Sequence, residues 1–493
     1  MTKSDSWRFL SIALLLGASI FPLWVATHRF HSLNDDTYIT LTYAKSLAAG
    51  RGFVFNYPPA TLGTTSPLLT LLVAALSIVL PWMETDQIAV LFTALCWTAM
   101  VWVIFLFRRR LGLENWQAAV MGLVLVASGW VNFLGMEAYL FAFLLILSLA
   151  LFNSRQWLLA GGSVGLLFLA RGEGILMLPL LVAGYLIWTR PKQMTLQTTR
   201  PALLIAAGFL IPAAIWSAYA QTTFGSILPL TLKVKMAQGQ SGLWLSFPTR
   251  LLRWIPQWEE QFAPAELPIL NFWWLLVLIG TVVVFTRRKK WLLLLAWMGV
   301  YITGYTLLQV AGYWWYQLPI LFVLQILAAM GLIRVVEAAR GIGGHTPWKG
   351  RVTAAILVLF TVGLLLAPRI DQVQSQNGDS RAPSYLALCH WLAVHTEPAQ
   401  SVAFVESGYL GYYTDNQIID LAGLTAPDIT PHIAKRDFAW GFWLHEPDYF
   451  IYLPDFDWAL RGIRADPKFE QIYRPVATLP GPRETDFVIY AHR

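Results

Sequence analysis

Charge is scarce in this chain. Only 13% of its 493 residues are Asp, Glu, Lys or Arg, against 57% hydrophobic. Mean hydropathy is +0.54, which excludes an ordinary soluble domain. Cysteine is scarcer still. Cys96 falls within an apolar run and Cys389 lies far along the chain, so no disulfide framework is implied. There is no Walker-type phosphate loop and no Gly-x-Gly-x-x-Gly opening a helix after a strand. A soluble nucleotide-dependent activity is therefore unsupported, and the absence of His-Glu-x-x-His argues against a zinc protease. No solenoid repeat or low-complexity tract is evident. The net charge of +7 requires no nucleic acid, because the basic residues cluster in short loops, where they act as an orientation signal.

What the chain has is apolar length. Runs near 20 residues recur from Phe9 to about Pro368, each long enough to cross a hydrocarbon layer about 30 Å thick. Eleven spans are expected, at about 9–27, 87–107, 117–134, 138–153, 157–170, 174–189, 201–220, 270–286, 291–309, 315–333 and 351–368. The first reads as a retained anchor, with no obvious small-residue cleavage site after it. The 24 tryptophans suit the membrane interfaces. Ser66–Leu80 is apolar but short and bounded by Pro67 and Pro81, which suits an interfacial or re-entrant helix. Charge supports that reading. If 66–80 does not cross, 17 basic residues face inward and nine outward; if it crosses, the counts become eight and 18. The positive-inside bias then puts the amino terminus inside and everything after Arg369 outside.

The expected fold class is therefore mainly α: a polytopic membrane helix bundle over 1–369, with its first outer loop at 29–86. A soluble extracytoplasmic α/β domain follows over 370–493. That tail carries 16 of the 28 acidic residues and no spanning run. Strand-like pieces occur at 401–405, 417–420, 449–452 and 486–490, with a helical patch at 385–394.

This topology sends scattered charges to one face. Asp35 and Asp36 follow the first span. Glu137 lies between two spans, Arg171 and Glu173 share a tight turn, and Lys233 and Lys235 follow Gly225 and Pro229. Ionisable groups at membrane depth are costly and usually face a cavity or a partner. Together they read as an anionic-substrate site with its own carboxylates. Blander readings stand beside this. The aspartates could cap a helix starting near Thr37, and Arg171 with Glu173 could be a structural ion pair. Glu137 could be a polar turn residue, and the lysines could snorkel. Tyr313-Trp-Trp-Tyr316 is most simply an interfacial aromatic belt, with stacking of Tyr316 on a sugar or isoprenoid as the alternative. His28 and His31 flank the aspartates without a metal-ligand pattern.

The run Asp35–Pro67 resembles the first outer loop of GT-C-fold glycosyltransferases. It is most similar to the family containing the mycobacterial arabinofuranosyltransferases that add terminal arabinose. Tyr43-Ala44, Gly50-x-Gly52, Asn56 and Thr65-Ser-Pro-Leu68 match that family's pattern, while Thr42 replaces its usual arginine. Gly135-Met-Glu137 resembles its GMET motif, with Ala138 for threonine. Arg171-Gly-Glu-Gly174 resembles its RPEG, with Gly172 for proline. Gly225–Lys235 resembles its GxxxPNTYYAK loop, with Leu230 for asparagine. Gly408–Tyr413 and Ile419–Thr425 resemble a motif pair of its outer domain.

The resemblance implies an enzyme of the cytoplasmic (inner) membrane that moves a monosaccharide from a polyprenyl-phosphate donor to a glycan or lipid acceptor outside. The lipid bilayer is its medium and nucleic acid has no part. Asp35 is then expected as general base with Asp36 orienting. Arg171, Lys233 and Lys235 would bind the donor phosphate. Glu137 and Glu173 would hold those cations, and Tyr43 and Tyr316 would support. Inversion follows from a single displacement. No cofactor is implied, and a divalent metal is compatible with the site. Alternatives are a mannosyl-, glucosyl- or aminoarabinosyl-transferase of the same fold, a lipid-linked sugar transporter, or a scaffold displaying the outer domain.

Overall fold

The computed structural model describes residues 3–55, 57, 59–190, 193, 195–253, 267–342, 347–375 and 378–493. Asn56, one of the matched loop residues, lies outside them. Fourteen helices precede the tail among the described residues. The first seven are α1 (Lys3–Thr27), α2 (Asp35–Ala48), α3 (Pro67–Val79), α4 (Thr85–Leu106), α5 (Asn115–Ala127), α6 (Ala138–Asn153) and α7 (Trp157–Ala170). Then come α8 (Met177–Thr189), α9 (Leu196–Phe224), α10 (Leu230–Ser241), α11 (Leu267–Thr286), α12 (Leu292–Leu307), α13 (Leu318–Ile342) and α14 (Pro347–Ser375).

Every expected span is a helix, but their lengths differ. Six helical segments among the described residues are long and apolar enough to cross a membrane. A seventh arises if Asn271–Thr286 and Lys289–Leu307, bent by 106°, count as one broken span. The expected spans near 117–134, 138–153 and 157–170 are helices of only 13, 16 and 14 residues. At 1.5 Å per residue they reach about 20–24 Å, short of a hydrocarbon core. α6 is buried along nearly its whole length, so neighbouring helices rather than lipid surround it. α3 stays a 13-residue helix that opens on Pro67 and ends before Pro81. This is a multi-pass membrane protein.

The tail begins with α15 (Ala382–His395) and folds around one five-stranded sheet. Its strands are β1 (Ser401–Phe404), β2 (Gln417–Asp420), β3 (Tyr449–Tyr452), β4 (Tyr473–Pro480) and β5 (Asp486–His492), in the order β2-β1-β3-β5-β4. β1 runs parallel to β2 and β3, while β5 is antiparallel to β3 and β4. Four strands coincide with the expected pieces. β4 was not expected, because Pro475 and Pro480 interrupt its pattern. It tolerates them as an edge strand with an irregularity between Pro475 and Ala477.

The tail is clamped to the bundle through α16 (Gly408–Tyr413), which follows β1 and packs on α2. Tyr38 of α2 is ringed by Tyr409, Tyr412 and Tyr413 at 4.6, 5.0 and 5.3 Å between ring centres. Its hydroxyl meets that of Tyr413 at 3.0 Å, and Lys45 Nζ donates to the Tyr412 carbonyl at 2.9 Å. The backbones touch as well: a Cβ on Gly408 would stand 1.9 Å from the Asp35 carbonyl oxygen. The glycine permits that approach.

Candidate active site

The aspartate pair opens α2. Asn34, not an aspartate, caps the helix: its Oδ1 accepts from the Thr37 N–H at 2.9 Å and the Thr37 hydroxyl at 2.8 Å. The helix starts two residues earlier than the capping reading required. Asp35 and Asp36 occupy its first two positions, where the helix dipole favours negative charge. Adjacent helical residues diverge by about 100°, so the two carboxylates part company. Asp35 is buried and accepts the N–H of Tyr409 at 3.0 Å. Burial and the charge of Glu406 push its carboxyl well above the usual range. Asp36 is half-buried and has no hydrogen bond or ion pair among the described residues. Burial raises its carboxyl, and the charges of Lys235 and Arg381 pull it back.

On the cationic side, Arg171 lies between α7 and a short 3₁₀ turn, Gly172–Leu176. Its NH1 meets Glu137 Oε1 at 2.7 Å and its Nε meets Glu173 Oε1 at 2.6 Å. The three side chains are 4%, 4% and 10% exposed. The two carboxylates fix Arg171 as a cation against the cost of burial. Its guanidinium sits over the Tyr316 ring at 5.4 Å. Tyr316 packs on Tyr313 at 5.8 Å, and Tyr313 carries Lys235 Nζ over its ring at 3.6 Å. The run Tyr313-Trp-Trp-Tyr316 thus contacts both cations through its two tyrosines.

Lys235 is the cation left open. It is buried and forms no ion pair among the described residues. Burial lowers its pKa, while Asp36 and Asp420 raise it. Lys233 is exposed and turns away, because two residues along α10 is a rotation of about 200°. Of the three expected phosphate ligands, then, the fold connects Arg171 and Lys235 through two tyrosine rings and leaves Lys233 outside. Tyr43 also stands apart from the cations. Its hydroxyl meets Thr61 Oγ1 at 2.9 Å and accepts the Gly63 N–H at 3.1 Å, so it pins residues 61–63 of the first loop. That loop is tied to α10 by the Leu230 N–H on the Leu62 carbonyl at 3.1 Å.

The tail adds groups that sequence reasoning did not single out. Arg381 reaches Glu406 at 2.5 Å and Asp379 at 2.7 Å, and Tyr385 donates to Glu406. Asp420, on β2, accepts the N–H groups of Ala422 and Thr425 at 2.9 and 3.0 Å. Burial pushes its carboxyl up to about 6 against the pull of those N–H groups. The available signal was the motif pair at 408–413 and 419–425, which borders both carboxylates. His31, Glu84 and Asp86 also meet, with ligand atoms within 4.8 Å of one another. His31 Nδ1 lies 2.9 Å from Asp86 and 3.6 Å from Glu84. Two of its donors already satisfy one Asp86 oxygen, which makes a hydrogen-bonded clamp sufficient. The 52 residues between His31 and Glu84 hid the cluster from any spacing rule.

The fold is a helical membrane bundle whose charged mouth is closed by a mixed α/β domain. In this architecture the chain is similar to ArnT from Cupriavidus metallidurans. The crystal structure of that protein bound to undecaprenyl phosphate matches at 14% identity with a TM-score of 0.58. Its apo structure matches at 14% identity and 0.62. In both cases 99% of this chain and 98% of the other are covered, so the fold is shared end to end. A family model described as a domain of unknown function, DUF8728, matches residues 370–490, the tail alone. No curated protein matches the chain.

Proposed function

We propose that the protein is a polyprenyl-phosphate-sugar-dependent glycosyltransferase working at the outer face of the cytoplasmic membrane. One observation carries this reading. A buried lysine without a carboxylate partner, Lys235, lies within electrostatic range of an aspartate without a hydrogen bond, Asp36, in a fold shared with a protein that binds undecaprenyl phosphate. The lysine would receive the donor phosphate and the aspartate the acceptor hydroxyl. Arg171 would stand behind Tyr316 with its charge offset by its two carboxylates, which leaves Lys235 as the cation for the phosphate.

The chemistry is a single displacement. The carboxylate takes the proton of the acceptor hydroxyl, whose oxygen bonds to the anomeric carbon. The bond from that carbon to the phosphate oxygen breaks, and polyprenyl phosphate leaves with the negative charge. Inversion follows. A fixed cation at the departing phosphate lowers the barrier by being in place before charge develops. The base is Asp36 in this reading, and Asp35 positions the tail. That exchanges the roles expected from sequence, because Asp35 spends an oxygen on Tyr409 and faces Glu406. The two tyrosines over the cations suit a sugar or isoprenoid face.

The test incubates purified protein with polyprenyl-phosphate donors carrying arabinofuranose, aminoarabinose, mannose or glucose, and follows release of polyprenyl phosphate. Arabinofuranose is the expected donor from the loop motifs. Release from another of these sugars would keep the class and change the sugar. No release from any donor by folded protein, with glycan and lipid acceptors present, would overturn the class.

A further inference from the structure

At the end of the bundle away from this site, α11 and α13 part to form a basic cleft. They first touch backbone to backbone. A Cβ on Gly280 would stand 1.8 Å from the Leu327 carbonyl oxygen, and one on Gly331 would stand 2.0 Å from that of Leu276. About one turn further they diverge around a cavity of about 190 Å³. Its walls include Val283, Met330 and Ile333, and its rim carries Arg287, Arg288, Arg334 and Glu337. Three guanidiniums face one carboxylate, a net charge of +2. Glu337 does not neutralise them closely: Arg288 approaches it at 3.9 Å and Arg334 at 3.7 Å. Its Oε1 already accepts from Gln117 at 2.7 Å. Arg287 is exposed and has no partner among the described residues.

Depth fixes the setting. Arg334 lies 16 residues after Leu318, about 24 Å along the axis from the end that holds Tyr316. The cleft therefore sits at the opposite membrane–water boundary. The bias of basic residues assigns that boundary to the cytoplasm. Lys290 and Arg110 share it, joined by Lys290 Nζ on the Arg110 carbonyl at 2.7 Å.

We infer that this cleft binds the phosphodiester headgroup of an anionic phospholipid of the inner leaflet. Guanidinium forks match phosphate oxygens in pairs. The apolar floor of Val283, Met330 and Ile333 suits the glycerol, and basic pockets between spans on this side favour anionic headgroups. The volume is below the roughly 300 Å³ of a drug-sized pocket. It holds a headgroup and leaves the tails in the membrane.

The experiment uses the full chain, stripped of lipid in detergent, with thermal unfolding and native mass spectrometry as readouts. The probes are phosphatidylglycerol, phosphatidylcholine and inorganic phosphate. Phosphatidylglycerol is expected to raise the melting temperature and to remain bound in the gas phase, while phosphatidylcholine does neither. Arg287→Gln is exposed and leaves the fold intact. It should weaken phosphatidylglycerol about fivefold, and Arg287→Gln with Arg334→Gln more than tenfold. Equal retention of both lipids, or unchanged binding in both variants, would overturn the inference. A shift with inorganic phosphate as large as with phosphatidylglycerol would overturn the lipid as occupant.

Discussion

At the mouth of the bundle, Arg171 is 4% exposed and grips two carboxylates at 2.6 and 2.7 Å. At the far end, Arg288 and Arg334 are 24% and 37% exposed and reach one carboxylate at 3.9 and 3.7 Å. The side chains are the same and the settings opposite. In the first, charge is held dry and rigid, so removing one partner strands another in a low-dielectric site. In the second, water already solvates the charges, and they remain available to a mobile anion. Burial, not residue type, separates the proposed machinery from the proposed docking surface.

The contrast can be broken at several points. The largest effect is expected at Asp36. Asp36→Asn should lower sugar transfer by about 10²–10⁴-fold, the span of a general base, with membrane insertion unchanged. Asp35→Asn should lose less and loosen the tail, as read by limited proteolysis. Full turnover in Asp36→Asn beside a dead Asp35→Asn would return the base role to Asp35. Next comes Arg171→Ala, which leaves Glu137 and Glu173 buried without their cation. A cost of about 3–5 kcal/mol is expected in detergent unfolding. A cost below about 1 kcal/mol would mean that water reaches this ion pair.

Gly408→Ala should follow, at about 1–3 kcal/mol, because its methyl group would overlap the Asp35 carbonyl. Faster hydrogen exchange in α2 and α16 would report the loosened joint. The pH profile gives a smaller and sharper signal. Transfer needs the ionised carboxylate, and the Asp36 carboxyl is raised, so activity should fall with acid through a midpoint above the usual 3.9 or so. Lys235 pulls that carboxyl down, so Lys235→Met should move the acid limb further up. A limb that stays put would separate Lys235 from Asp36. The smallest effect belongs to the far end, where Arg334→Gln without added lipid should change stability by no more than about 1 kcal/mol.

Much of this was legible in sequence, for reasons that differ by element. The spans announced themselves by length, and four strands by short apolar runs between turn residues. β4 stayed hidden because its prolines are permitted only by an edge position that no single strand reveals. The convergence of Glu137, Arg171 and Glu173 followed from topology, since tight turns on one face must be neighbours. The division of labour proposed for Asp35 and Asp36 was not legible. It depends on which way each points along α2, and on a backbone N–H 374 residues away. Lys233 and Lys235 looked equivalent until a helix placed them on opposite faces. Arg381, Glu406 and Asp420 were invisible as site residues because they belong to a domain read as separate.

The joint between α2 and α16 also imposes an order on biosynthesis. The first loop emerges early, yet the N–H that holds Asp35 belongs to Tyr409. At about 5–20 residues per second, the ribosome needs roughly 20–75 s to supply it. Until then the aspartates have no lid, and a chain that stalls or is cut before β1 carries its mouth unfinished. The mouth of the bundle is thus completed only once synthesis has passed Tyr409.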